Sequence, residues 1–362
     1  KFKLYTIFCL DNWCNCCIYY LLSSCKQIMK ALVYTDIEKV VYKDYEVPII
    51  KSGESLIKVN ASGICGSDMH AYHGKDERRV PPLILGHEIS GVVEVGKNIG
   101  QKVIINPLIS CGDCQFCNSN NEHLCEQRAL IGMNKPFVKE GGLAEFVAVP
   151  DTNISNLPNK LDIKKAAISE PTAVALHAVE LGEKNLRVSI KDANILIIGG
   201  GAIGILSALI LENIKQSNIV TLLEINEKRL KVCEGNLKSK VISPNSKDLK
   251  INSFDLIIDA VGSEKTRQLA TVFAKPGSVI IHAGLTNSDG AFDSRKITLQ
   301  EISFIGTYCY TTRDFQNTIN FLSDGLIGDL NWIEYRELKN GAEAFKQIHN
   351  GTCAAPKIIL IP

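Results

Sequence analysis

No stretch of this chain approaches the ~18–20 consecutive apolar residues of a membrane-spanning helix, which argues against a helical membrane protein. An excess of one charge is also missing. Lys and Arg together number 40 against 39 Asp and Glu, a formal net charge of +1. That balance removes the general electrostatic reason to bind nucleic acid or an anionic membrane. There is no internal repeat and no low-complexity linker, so a repeat array is excluded. Apolar residues make up 45% and charged residues 22% of the chain. These values are close to the globular average and exclude a largely disordered polymer. At ~150 residues per domain, 362 residues correspond to about two domains. Domains of that size bury a sizeable core without disulfide staples.

Cysteine, by contrast, is plentiful: the chain has 13, an odd number, so they cannot all pair within one chain. Their distribution is uneven. Cys9, Cys14, Cys16, Cys17 and Cys25 fall in the first 28 residues, a segment with neither helical nor strand periodicity. Lys1 and Lys3 precede a short apolar run there, but Asp11 interrupts it and no small-residue cleavage site follows. A signal peptide and a metal-binding tail are both conceivable. The reading preferred for residues 1–28 is a non-native or disordered extension upstream of Met29.

From Met29 to about Pro158, short apolar runs alternate with Gly, Pro, Asn and Asp, the pattern of a compact β-rich domain. From Glu170 the pattern changes to strands alternating with helices, as in ANILIIGGGAIGILSALIL and NIVTLLEINEKRLKVC. Such alternation implies βαβ units and a parallel sheet. After about Gly306 the pattern is mixed and ends in the strand-like KIILIP. The expectation is an α/β unit over 169–306 inserted into a β-rich domain built from 29–168 and 307–362.

Cys111, Cys114, Cys117 and Cys125 form C-x2-C-x2-C-x7-C on one short loop. Four closed thiolates suit a structural tetrahedral zinc. An iron–sulfur cluster also uses four thiolates, but its usual x3 spacing and following Pro are absent here. His123 lies inside the loop and is expected at the surface, because four cysteines already complete a shell. A second constellation joins Cys65, in GICGSDMH, with His87 and Glu88, in LILGHE. A thiolate, an imidazole and a carboxylate can bind zinc while leaving a position open for substrate. Taken singly, Cys65 reads equally as a small buried apolar residue.

Gly199, Gly200, Gly201, Ala202, Ile203 and Gly204 match G-x-G-x-x-G between the strand ILII and a helical run. That context is the one a dinucleotide-binding turn requires. The glycines allow a tight turn, a close approach of backbone to pyrophosphate, and helix–strand contact. Glu224 follows Gly204 by 20 residues at the end of the next strand. A carboxylate there accepts ribose hydroxyls and repels a 2′-phosphate, favouring NAD over NADP.

GICGSDMH, LILGHE, the four-cysteine loop, GGLAEF, SEPTAVALHAV and GGGAIG occur in the order found in zinc-dependent medium-chain dehydrogenases, which the chain resembles from Met29 to Pro362. Glu170-Pro171 is most similar to the sorbitol, polyol and polyol-phosphate branch; the alcohol dehydrogenase branch commonly has a zinc-binding Cys where Glu170 stands. HAYHGKDERR and PPLILGHE resemble sequences described as galactitol-phosphate dehydrogenase-like. The resemblance implies a β-rich GroES-like catalytic domain plus a Rossmann doubly wound parallel-sheet cofactor domain. It implies two zinc ions, one catalytic and one structural, and NAD. Cys65 and His87 would be catalytic-zinc ligands, with Glu88 a ligand or near-ligand and Glu170 close by. Asp68 would orient His87, Ser67 would accept the alcohol proton, and His70 would pass it toward solvent. Arg229 would sit near the adenosine, and the backbone at 261–262 and 283–285 would line the dinucleotide cleft.

The sequence also departs from that pattern. Sorbitol dehydrogenases proper tend to carry an Arg in the strand corresponding to IGTYCY, where Cys309 or a neighbour stands. VGKNIGQKVIINP is shorter than usual. In the charged run 75–79, Arg78 or Arg79 offers bidentate donors for a substrate phosphate, although mixed charge runs ordinarily face water. His73, His177 and His282 have no assigned chemistry. The expected activity is reversible, zinc- and NAD-dependent oxidation of a secondary alcohol, a polyol or polyol phosphate, to the ketone. The alternatives are a zinc-ribbon binding protein and a non-catalytic member of the same fold. The expected partner is the small-molecule alcohol, with no nucleic acid or membrane, in a cytoplasmic homodimer or homotetramer. Setting aside residues 1–28, four cysteines go to structural zinc and one to catalytic zinc. Cys233, Cys309 and Cys353 remain as plain thiols in a reducing compartment.

Overall fold

The computed structural model describes residues 27–362. The first 26 residues, with Cys9, Cys14, Cys16, Cys17 and Cys25, lie outside the described residues, and so does the expectation placed on them.

The chain opens on an antiparallel hairpin of Ile28–Asp36 and Lys39–Glu46, extended by the short strand Leu83–Ile84. The larger antiparallel sheet is organised around Glu54–Gly63, which pairs with Glu88–Val95, Phe146–Pro150 and the C-terminal strand Lys357–Ile361. Ile57, Val59, Ile89, Val93, Val103, Ile105, Val147 and Val149 fill one core between these strands. Because the β period is 2, each strand contributes alternate residues to that core. The C-terminal strand also pairs in parallel with Ile333–Glu337, bringing the last five-residue strand back beside the first hundred residues.

Residues 194–306 carry a six-stranded parallel sheet in the order Lys240–Ile242, Ile219–Leu223, Asn194–Ile198, Phe254–Asp259, Ala274–His282, Ser303–Gly306. The central strands read as continuous apolar runs because both faces are covered. Ile195 and Ile197 face a core shared with the helices Ser169–Asn185 and Ala202–Asn213. Leu196 and Ile198 face the opposite core with Ala270 and Phe273 of the helix Glu264–Phe273. The chain winds outward from Asn194–Ile198, then crosses back to Phe254–Asp259 on its other side. That reversal opens a crevice at the carboxyl ends of these two strands, where open α/β sheets bind ligands. The fold is the expected combination of a GroES-like β-rich unit with a Rossmann sheet.

One apolar core runs between the two sheets. It contains Ala61, Ile104 and Ile359 of the antiparallel sheet together with Ala166, Ile168, Ala173 and Leu176 leading into and along Ser169–Asn185. The first turn of that helix is therefore held against both sheets, and Glu170 sits in it.

Candidate active site and metal centres

The four-cysteine loop leaves the strand Leu108–Ile109 and returns at Ala129–Leu130. Gly112 (φ +82°) and Asn120 (φ +58°) supply left-handed turns that fold it onto itself. The sulfurs of Cys111 and Cys125 are 3.5 Å apart, those of Cys114 and Cys117 3.6 Å, and those of Cys111 and Cys117 3.8 Å. A tetrahedron with metal–sulfur bonds of about 2.3 Å has edges of about 3.8 Å, whereas a disulfide requires about 2.05 Å. All four cysteines are free thiols, and they fit one tetrahedral ion.

His123 is not at the surface. It is 5% exposed, and its ring packs edge-on against His177 with centroids 4.8 Å apart. His177 Nδ1 lies 2.8 Å from an Asp314 carboxylate oxygen. The expectation failed because ligand counting sees only the loop, while the buried face of Ser169–Asn185 decides where His123 goes. His177 likewise has a defined partner.

The second constellation assembles where a helix start meets a strand start. Cys65 caps the helix Gly66–Tyr72, and Asp68 returns a carboxylate oxygen to the Cys65 N–H at 3.0 Å. The side chain of Ser67 is not the cap. His87 and Glu88 lead into Glu88–Val95, directly opposite Gly63 in the sheet. A Cβ at Gly63 would lie 1.8 Å from Glu88 Oε2, so the glycine makes room for the carboxylate to fold over its neighbour strand. One ligand atom each from Cys65, His87 and Glu88 lies within 4.8 Å of the others.

Charge balance supports a cation at this point. His87, Glu88, Asp68, Glu170 and Lys357 are all buried. Lys357 Nζ donates to Glu88 Oε1 at 2.5 Å and to the Ile64 carbonyl at 2.9 Å. Glu88 Oε2 and His87 Nδ1 are buried with no hydrogen-bond partner, the Asp68 carboxylate being 3.6 Å from that nitrogen. Burial opposes the imidazolium, but the Asp68 carboxylate and the Cys65 sulfur outweigh it and hold the His87 pKa well above its usual value. Burial, reinforced by Glu88 and Asp68, pushes Glu170 up to about 7. Three carboxyl groups and a thiol are gathered around one ammonium and one imidazole. The upward shifts of His87 and, after burial, of Glu170 express the excess of negative charge there, which a bound divalent cation would offset. The residues fit zinc.

Ser67 Oγ is 3.4 Å from His87 Nε2 and receives Arg79 Nη2 at 3.4 Å. Arg79 is not in a solvated loop. It is 2% exposed, donating from Nε to the Gly132 carbonyl and from Nη1 to Asp76. His70 makes no direct hydrogen bond to Ser67 among the described residues. Instead it lines a cavity of about 490 Å³ together with Lys75, Asp76, Glu77, Arg78 and Leu285. Burial lowers its pKa, with Asp76 opposing the shift.

The glycine turn sits at the crevice. Gly199 (φ +100°) turns the chain, and a Cβ at Gly204 would lie 1.8 Å from the Gly199 carbonyl, so close packing of helix on strand requires glycine. Nothing lies within 4 Å of a Cβ built at Gly201, leaving its backbone open to a ligand. Glu224 is buried and accepts the Gly200 and Asn226 N–H groups, both at 2.7 Å. Arg229 Nη1 stands 3.8 Å from Glu224, and its Nη2 donates to the Cys353 carbonyl at 3.4 Å. Asp259, which no motif singled out, accepts the Val261 and Gly262 N–H groups and shapes the far wall of the crevice. Lys357, Asp76 and Tyr308 were also missed. The available signals were an acid closing the buried strand FDLIID and a lysine opening the apolar KIILIP.

Residues 51–159 match the family described as Alcohol dehydrogenase GroES-like domain, and residues 202–324 match the family described as Zinc-binding dehydrogenase. L-galactonate-5-dehydrogenase of Escherichia coli is 29% identical over 315 residues, covering 83% of this chain and 88% of that protein. Probable D-xylulose reductase A of Neosartorya fischeri is 26% identical over 344 residues, covering 89% and 94%. The solved structure of L-idonate 5-dehydrogenase from Escherichia coli superposes with a TM-score of 0.81 at 24% identity, over 93% of this chain and 99% of that one. That likeness concerns the fold. With these two models matched in succession along the chain, it belongs to the zinc-binding dehydrogenases that carry a GroES-like alcohol dehydrogenase domain.

Proposed function

We propose that this dehydrogenase oxidises a secondary hydroxyl of a polyol or polyol derivative to the ketone, reversibly, with NAD as hydride acceptor. The observation that carries the reading is the clustering of half-buried Cys65 with buried His87 and Glu88, whose second carboxylate oxygen has no partner. Polyol chemistry is supported by the relatives named for L-galactonate and D-xylulose. In this reading Cys65, His87 and Glu88 hold the catalytic zinc with Glu170 nearby, and Cys111, Cys114, Cys117 and Cys125 hold the structural ion.

Bound zinc supplies a Lewis acid that lowers the pKa of the substrate hydroxyl. Ser67 takes the hydroxyl proton and His70 delivers it to water in the cavity. NAD, when bound at the glycine turn, would supply the two-electron acceptor that lets the deprotonated carbinol become a ketone. Asp68 fixes the orientation of His87. In the turn from Gly199 through Gly204, the Gly199 and Gly200 N–H groups are held by the Leu223 carbonyl and Glu224, while those of Gly201, Ala202, Ile203 and Gly204 at the start of Ala202–Asn213 would be available to a pyrophosphate. Glu224 would accept ribose hydroxyls and repel a 2′-phosphate, and Arg229 beside it would flank the adenosine. A homodimer or homotetramer in the cytoplasm belongs to the same reading.

Cys65→Ser tests it. Both zinc content and NAD-linked oxidation across polyols, polyol phosphates, threonine and simple alcohols are measured. The reading requires loss of one zinc equivalent and of activity, and full activity in the variant sinks it. Tight NADH binding by the unaltered protein separates this reading from a zinc-ribbon binding module.

A further inference from the structure

The charged loop after the Cys65 motif contains one arginine used internally and one that is available. All three kinds of nitrogen in the Arg79 guanidinium are committed, to Gly132, Asp76 and Ser67. Arg78 is different. Its Nε and Nη2 clasp the Asp76 carboxylate at 3.0 and 3.3 Å, and Nη1 donates to the Tyr308 hydroxyl at 3.3 Å. A guanidinium has five N–H donors. One on each terminal nitrogen of Arg78 therefore has no protein partner among the described residues. The side chain is 40% exposed and lines the same cavity of about 490 Å³ as His70.

The local charge is positive. Asp76 is a single carboxylate shared by two guanidiniums, and Arg128 stacks its guanidinium 5.0 Å from the Tyr308 ring centroid. Lys75 and Glu77 on the rim offset each other. The cluster adjoins the proposed metal site through Arg79, which shares Asp76 with Arg78 and donates from Nη2 to Ser67 Oγ, itself 3.4 Å from His87 Nε2. Arg78 is thus braced on two sides, partly desolvated, and aimed into a cavity that a proton-relay histidine also lines. A braced arginine with free donors is matched by an anion that accepts two N–H bonds.

We propose that Arg78, held by Asp76 and Tyr308, is the specificity-determining residue that receives an anionic end of the substrate, a carboxylate or a phosphate carried on the polyol chain. The proposal rests on the polyol-oxidising reading above and names which polyols are preferred. Arg79 supports it by sharing Asp76 from the buried side.

The test compares three substrates of one carbon frame: galactitol, L-galactonate and a galactitol phosphate. Steady-state NAD reduction is measured with the holoenzyme and with Arg78→Gln and Arg78→Lys. The unaltered enzyme is expected to prefer at least one anion over galactitol in kcat/KM. Arg78→Gln should cut that preference by roughly 10- to 100-fold, the range of one charge-assisted bond. Arg78→Lys, which keeps the charge but not the fork, should fall between them. The anion whose preference collapses identifies the source as carboxylate or phosphate. A preference for galactitol in the unaltered enzyme, or a preference unmoved by Arg78→Gln, overturns the proposal while leaving the dehydrogenase reading intact. Absence of NADH formation from all three overturns the polyol reading instead. In that event calorimetric titration of the NADH-loaded protein with L-galactonate and inorganic phosphate decides the subsite. Saturable binding lost in Arg78→Gln sustains it, and no binding ends it.

Discussion

Glu88 and Lys357 stand 269 positions apart in the chain and 2.5 Å apart in space, both buried. The bond ties the start of one strand to the last strand, at a point where the remaining Glu88 oxygen is left without a partner. Removing the ammonium leaves a buried carboxylate uncompensated, which ordinarily costs about 3–5 kcal/mol. Lys357→Met is therefore expected to lower the unfolding free energy of chelator-treated protein by that amount in urea titrations. Zinc should restore much of the loss, because a cation beside Glu88 supplies the missing charge. Equal stability of Lys357→Met and the unaltered protein in chelator would contradict this account.

Gly63 is the second place where the site depends on a residue with no chemistry of its own. A methyl group there would fall 1.8 Å from Glu88 Oε2, so the carboxylate must swing away in Gly63→Ala. Fold stability should drop by no more than in Lys357→Met, because the obstacle is the Glu88 side chain and its displacement strains the same buried bond to Lys357. Zinc retention at the Cys65 site should fall sharply. Metal analysis after dialysis against a weak chelator reads this directly, with the four-cysteine ion as internal control.

His73 and His349 form a different kind of pair, with Nε2 and Nδ1 2.8 Å apart on facing segments. One ring must donate and the other accept, so the contact tolerates one proton fewer than two imidazoliums carry. Burial and the neighbouring His349 hold the His73 pKa below its usual 6.5. The sign follows from proton binding: below about 6.5 the unfolded chain takes up a proton that the fold resists. Stability is therefore expected to be fully present above that pH and to decline as pH falls below it. His73→Gln should flatten the decline in urea midpoints measured across that range, and an unchanged slope would place the dependence elsewhere.

The sequence revealed those parts of the site that depend on spacing along a single segment. Four cysteines within 15 residues and a glycine turn between an apolar strand and helix are local patterns, because a short loop or a helix start determines them completely. His87 and Glu88 were legible because they adjoin each other, and Cys65 because Ser67 and Asp68 follow it. Lys357, Asp259, Tyr308 and the burial of Arg79 and His123 were not legible. Each depends on which distant element packs opposite. A charged run such as 75–79 has the same composition whether it faces water or closes over Asp76. The parallel sheet was readable from its apolar runs, since strands covered on both faces lose the alternation that marks a half-exposed strand.

Glu224 combines two roles that mutation can separate. Its two oxygens accept the Gly200 and Asn226 N–H groups at 2.7 Å each, so the carboxylate fastens the glycine turn to the strand end before any cofactor arrives. In the proposed reading the same negative charge discriminates against a 2′-phosphate. Glu224→Ala removes both acceptors and leaves the buried Gly200 N–H unsatisfied, at a cost of about 1–3 kcal/mol. Glu224→Gln keeps one oxygen for the turn while removing the charge. The expected outcome is a lowered melting temperature in the alanine variant, with the glutamine variant closer to the unaltered protein. Both should narrow the ratio of NAD to NADP in kcat/KM, by about tenfold or more if one charge-assisted contact is at stake. A glutamine variant that keeps the full preference for NAD would show that the turn, and not the charge of Glu224, selects the cofactor.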